Sequence, residues 1–161
     1  MKRVFLICVI GAALCVSGVF AEHPEDQIGI GLQLGGSYTN WFGADFTLKI
    51  PKVPVFWTLG AGLNWLSVAG DYYFIDKEFA PKIHLGWYLG AGAEVGLGFW
   101  GYNAGYFGLA VGARVPIGLS WQPLDWLEVY LQVVPGIGIQ IVPPVDLYLP
   151  IGGSLGVRFW I

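Results

Sequence analysis

The sequence holds only two cysteines, Cys8 and Cys15, both within its first 21 residues. The chain beyond residue 21 therefore cannot be a disulfide scaffold. Charge is equally scarce: Asp, Glu, Lys and Arg together make 12% of the chain, and the net charge is −3. The eight Lys and Arg residues form no basic patch, so nucleic acid is not an expected partner. The two histidines, His23 and His84, stand far apart and do not suggest a metal site. No Gly-x-Ser-x-Gly and no Ser, His and Asp grouping points to hydrolysis. We therefore expect no enzyme, no cofactor and no metal. In place of charge the chain is 55% hydrophobic and 16% aromatic, with 25 glycines and 8 tryptophans. That is too apolar for an ordinary soluble domain of this length.

Residues 1–21 read as a secretory signal peptide: Lys2 and Arg3, an apolar run from Val4 to about Val16, then small residues ending Val19-Phe20-Ala21, with cleavage expected after Ala21. Losing Lys2 and Arg3 leaves six basic against eleven acidic side chains. Residues 22–26 form a polar leader, and a mobile position is expected for its His23. Residues 27–161 are expected to form one domain.

A membrane offers the backbone no hydrogen-bond partners, so only helices and closed barrels cross it. The longest charge-free window, Val95 to Ala113, would suit a spanning helix by hydropathy, but six of its nineteen residues are Gly. Each costs a helix about 1 kcal/mol relative to Ala. The alternation around it has period two. From Ile83 to Phe99, IHLGWYLGAGAEVGLGF, every odd position is apolar and every even one is Gly or polar, which is the pattern of a strand with one oily face.

Seven further segments repeat that pattern: residues 28–35, 42–50, 55–64, 68–75, 107–118, 127–134 and 154–161. In the fourth of them, Tyr72 and Phe74 are assigned to the lipid face with Asp71 and Tyr73 on the other. Residues 76–82, the most charged stretch after the leader, read as a solvated connection, residues 120–125 as a turn, and residues 136–149 as an apolar loop. Eight strands with short links make an all-β fold, an eight-stranded antiparallel transmembrane β-barrel of the outer-membrane type. A soluble barrel would put its apolar face inside; here no charged residue falls on an assigned outward face.

The inward face collects Asp45, Lys49, Asp71, His84, Glu94, Arg114, Glu128 and Arg158. In a small barrel side chains fill the interior, so these charges must pair to be tolerated. Glu94 with Arg114, and Glu128 with Arg158, lie on consecutive strands. They form either a structural plug or a gate. Trp41, Trp57, Trp65, Trp87, Trp100, Trp121 and Trp126, with Tyr38, Tyr102, Tyr106 and Phe107, cluster toward strand ends, as aromatic girdles at the two membrane interfaces do. Gly96-Leu-Gly98-Phe-Trp-Gly101 matches a dinucleotide fingerprint formally, but lacks the strand-to-helix turn and the later acidic residue.

The closing residues Leu155, Val157, Phe159 and Ile161 resemble the C-terminal assembly signal of exported barrels, although the final residue is not aromatic. Val111-Gly-Ala-Arg114-Val-Pro-Ile-Gly-Leu-Ser120, Leu127-Glu-Val-Tyr-Leu-Gln-Val-Val-Pro135-Gly-Ile-Gly138 and Gly156-Val-Arg158-Phe resemble a family of small spirochaetal outer-membrane proteins, similar to the transmembrane domain of OmpA. The resemblance implies a bacterial outer-membrane location and the same fold, but names no activity. The barrel assembly machinery and outer-membrane lipid are the expected partners; a host or protein ligand is not identified. A structural or membrane-integrity role comes first, then a narrow pore or lateral route for small solutes or apolar molecules, then a surface adhesin.

Overall fold

The computed structural model describes residues 23–36, 43–62, 65–100, 106–141 and 145–161. Trp41, Tyr38, Tyr102 and the signal peptide lie outside these residues, as do the side chains of Trp100, Tyr106 and Phe107. The described chain is almost entirely antiparallel strand: β1 (Gly29–Gly36), β2 (Gly43–Lys49), β3 (Phe56–Ala61), β4 (Trp65–Ala80), β5 (Leu85–Trp100), β6 (Tyr106–Arg114), β7 (Ile117–Leu124), β8 (Leu127–Gln140), β9 (Asp146–Tyr148) and β10 (Ile151–Trp160).

These ten pieces make eight staves. β6 and β7 are one stave interrupted at Val115-Pro116; β5 pairs with both, through Gly92↔Arg114 and Leu89↔Ile117. β9 and β10 are likewise one stave, broken at Leu149-Pro150 and paired with β8 along its length. The ring closes where β10 meets β1, from Gly29↔Trp160 to Gly36↔Gly153. Ile28 and Ile161 exchange two backbone hydrogen bonds of 2.9 Å beyond that ladder. Closure matters because an open edge would leave unpaired N–H and C=O groups in oil.

Alternation decides the facing of each stave. Ile30, Leu32 and Leu34, Trp57 and Leu59, Leu66 and Val68, Leu131 and Val133, and Leu155 and Phe159 face outward, with polar residues and glycine between them facing in. The fourth stave has the facing expected of it as far as Tyr73: Tyr72 is exposed, while Asp71 and Tyr73 are buried; Phe74, expected on the lipid face, is half-buried and unpaired at a register shift. It is longer than its periodicity suggested. A register shift between Tyr73 and Ile75 resets the phase, as an extra residue in one strand does, and the stave continues through Ala80. Residues 76–80 are therefore strand and not connection, and Asp76 points into the lumen. The connection shrinks to a single 3-10 turn, Pro81–Ile83, ended by His84 at φ 51°.

Two other expected links are also strand. The turn assigned to 120–125 contracts to residues 125–126, and most of the apolar loop 136–149 joins the sheet, with Gly138↔Tyr148 and Gln140↔Asp146 paired. Apolar alternation at Ile137 and Ile139 continues past Pro135, because a proline removes one ladder donor without changing which face its neighbours occupy.

Inside, small residues on one stave receive large rings from the next. A Cβ on Gly118 would lie 2.2 Å from the Tyr88 ring, and a Cβ on Gly156 would lie 2.2 Å from the Tyr130 ring. Both tyrosines are almost fully buried, so neither ring can yield. Gly156→Ala is expected to destabilise the barrel by about 1–3 kcal/mol through overpacking. Gly153→Ala, where the nearest atom is the Gln132 carbonyl oxygen at 3.8 Å, serves as the near-neutral control in urea unfolding.

Candidate functional site: the charged lumen

The lumen is organised in two layers joined by a polar bridge. The first lies at the end of the barrel that carries the N-terminal leader and the C-terminal strand. Glu128, on β8 and 0% exposed, is its centre. One carboxylate oxygen accepts from Arg158 Nη1 at 2.9 Å and from Trp160 Nε1 at 3.1 Å. The other faces His23 Nε2 at 2.9 Å. The opposite ring nitrogen, Nδ1, meets the Asp76 carboxylate, which also accepts the His23 backbone N–H at 3.2 Å.

Rings surround these charges. The Arg158 guanidinium lies 4.7 Å from the centroids of Phe56 and Tyr130 and 5.5 Å from Trp160. Such contacts are worth about 0.5–2 kcal/mol each, the more so when desolvated. Tyr73 is stacked between Phe56 at 4.2 Å and Tyr88 at 4.4 Å. Lys49, also buried, has Nζ 5.8 Å from the Phe56 centroid. Every group in the layer thus has an opposite charge, a hydrogen-bond partner or a ring face, the condition under which buried ions are tolerated.

Amides and hydroxyls make the bridge. Gln33 Oε1 accepts from the Tyr130 hydroxyl at 3.1 Å and from Gln132 Nε2 at 3.2 Å, while Tyr88 donates to Gln132 Oε1 at 3.0 Å. Gln33 Nε2 in turn donates to Asp45 at 2.8 Å.

The second layer lies toward the other mouth. Arg114 Nε is 3.1 Å from Asp71 and Nη1 is 3.2 Å from Glu94. Arg114 and Glu94, with Asp45, Trp65, Tyr148 and Pro150, line a polar vestibule of about 80 Å3, room for a few water molecules.

The structure thus brings Glu94 to Arg114 and Glu128 to Arg158, and adds Asp71 to the first pair. Asp45 and Lys49 share a face but do not meet: Asp45 bonds to Gln33, whereas the Lys49 ammonium donates to the Ile50 carbonyl. His84 is not a lumen residue. It stands in the turn after β4 with its side chain 58% exposed, 3.2 Å from Glu78, because the longer β4 moves it out of the strand. Its place inside is taken by His23, expected in a mobile leader and found 4% exposed. The sequence marks this weakly, as one imidazole in an acidic segment; the register shift at Tyr73 that turns Asp76 toward it leaves no periodic signal.

Burial would lower the basicity of the His23 ring, but the charges of Glu128 and Asp76, and the hydrogen bonds to both, raise its pKa from the ordinary 6.5 to about 9. Both of its ring nitrogens face carboxylates and both must donate, which only the imidazolium can do. Among the described residues, no cluster of His, Cys, Asp and Glu suits a metal ion.

On the outer face, Trp57, Trp121 and Trp126 are exposed and Trp87 is half-buried. All four lie near the end that carries both chain termini, forming one belt, with Trp126 stacked on Phe159 at 6.0 Å. Trp65 does not belong to a girdle: it points into the vestibule, over Gly60 and Gly62. Leu155, Phe159 and Ile161 project outward on the last stave, with Val157 between them.

The chain is similar to two solved structures. The N-terminal β-barrel domain of Pseudomonas aeruginosa OprF matches with a TM-score of 0.51 at 12% sequence identity, over 85% of this chain and 98% of that one. Neisserial surface protein A, NspA, matches with a TM-score of 0.42 at 13% identity, over 83% of this chain and 95% of that one. No protein-family model and no curated protein matches the sequence. The fold is an eight-stave barrel like that of OprF.

Proposed function

We propose that this chain is an integral protein of the bacterial outer membrane with a structural, membrane-integrity role, its lumen filled by side chains and not opened as a pore. The observation that carries this reading is the layer built on Glu128, where five charged groups and five rings close one end of the barrel. The continuous outward band of Leu, Ile, Val and Phe supplies the surface that lipid requires. The tryptophan belt seen among the described residues marks the interface at the terminus-bearing end, which we assign to the periplasm.

On this reading residues 1–21 are removed on export, residues 22–26 remain as a leader and residues 27–161 form the barrel. The barrel assembly machinery reads the last stave through Leu155, Val157, Phe159 and Ile161, and kinship with the small spirochaetal outer-membrane proteins follows from residues 111–120, 127–138 and 156–159.

The polar vestibule favours a second reading, a narrow route for small solutes past Arg114. Single-channel recording on the protein in a planar bilayer separates the two. A folded barrel that stays silent is the expected result. Discrete openings whose size changes in Glu94→Gln would overturn the filled lumen in favour of a pore.

A further inference from the structure

His23 is held like a ligand. The segment 23–27 forms no strand, and it joins the barrel covalently only at Ile28. A hydrogen bond of 2.9 Å from the Lys52 N–H to the Glu25 carbonyl pins it across the mouth. From there the imidazole reaches a compartment whose other walls all belong to the barrel. Its ring centroid lies 5.2 Å from Phe56 on β3, 5.9 Å from Tyr73 on β4, 5.8 Å from Tyr88 on β5 and 5.7 Å from Trp160 on β10. Ring faces and edges on four sides, with carboxylates at both nitrogens, are the parts from which organic-cation sites are made.

The charge balance points the same way. The titratable and charged groups facing the imidazole are Asp76 and Tyr73 from β4, Glu128 and Tyr130 from β8, Arg158 from β10, Tyr88 from β5, and Lys49 from β2 beside Phe56. Asp76 and Glu128 carry two negative charges in contact with the ring; Arg158 pairs with Glu128, while the Lys49 ammonium lies beside Phe56 and donates to the Ile50 carbonyl. A cation at the ring position gives Asp76 its opposite charge in direct contact, which a neutral ring does not.

We propose that this cage is a binding site for a small planar organic cation, and that the imidazolium of His23 occupies it as a tethered ligand which closes the terminus-bearing end of the lumen. The barrel contributes every other wall, so a vacated site accepts the same chemistry from solution.

The test is chemical rescue of His23→Gly, measured by thermal melting of the detergent-purified protein. At pH 6 the variant is expected to melt at least about 4 °C below the parent. Added imidazole raises the variant's melting temperature back toward the parent's in a saturable way, whereas pyrazole, its neutral isostere at that pH, does not. The raised pKa adds stability that is complete below pH 6.5 and is lost as pH rises through about 9. The gap between parent and variant therefore closes over that window. Equal melting of the two proteins at pH 6, or equal effects of imidazole and pyrazole, overturns the proposal. Should the variant not fold, nitrogen-15 NMR of histidine-labelled parent protein decides, with His84→Gln providing the assignment. A His23 signal that stays protonated past pH 8 supports the cage, and one that titrates near 6.5 overturns it.

Discussion

Glu128→Leu is expected to cost the barrel about 3–5 kcal/mol, the largest loss of any single lumen substitution. A loss of that size arises when one partner of a buried ion pair is removed, because the other charge is left desolvated and alone. Here the effect is compounded, because one carboxylate serves Arg158, Trp160 and His23 together, and no water reaches it. The isosteric Glu128→Gln retains an acceptor but loses the charge. Combined with Arg158→Met it removes both members of the pair and is expected to cost less than Glu128→Leu alone. Urea unfolding in detergent, arranged as a double-mutant cycle, measures the coupling. Additive losses would mean that Arg158 is held by its surrounding rings and not by Glu128.

Val133→Arg addresses the opposite face. Val133 lies midway along β8 and half exposed, beside Ile117 on the preceding stave, in the band where Leu119, Leu131 and Leu155 follow one another across three staves. A guanidinium there would stand in hydrocarbon near mid-depth, at a cost of about 2–4 kcal/mol. The companion Trp126→Arg changes a residue of the belt at the barrel end, where the same charge costs about 0–1 kcal/mol. A soluble barrel would tolerate arginine equally at both positions. Refolding yield and urea midpoint in lipid vesicles therefore test the membrane reading and the depth assignment together.

The parts of this fold legible in the sequence are those where period two persists. Within Ile83 to Phe99 the run from Leu85 to Gly98, and likewise Leu127 to Val134, announce both their conformation and their facing, since a strand with an apolar surrounding on one side restricts what each residue may be; Ile83 and His84, which carry the same alternation, fall in the turn before β5. Where a stave slips by one residue or meets a proline, the signal stops although the sheet does not. That is why the end of β4, the second half of β8 and all of β9 read as connections, and why Asp76 was hidden. Among site residues, Glu94 and Arg114 could be matched because they face inward on neighbouring strands. His23 could not, since its position depends on a leader folding back through a mouth whose shape only the closed ring defines. Lys49 shows a third case: its facing follows from alternation, but its partner is a ring on β3 and not the Asp45 that shares its own strand.

The pairing of β1 with β10, reinforced by the exchange between Ile28 and Ile161, bears on how the molecule is made. Its first stave waits for its last, so the contact that seals the ring has nearly the greatest sequence separation the chain can offer, and such contacts are slow to form. Until then every partial sheet carries two unsatisfied edges, which water tolerates and hydrocarbon does not. On the membrane reading, folding and insertion are thereby coupled into one late event. Arg158 and Trp160, on the final stave, reach Glu128 only when that event occurs, so the ion cluster reports completion: a chain lacking its last dozen residues has neither a seam nor a centre.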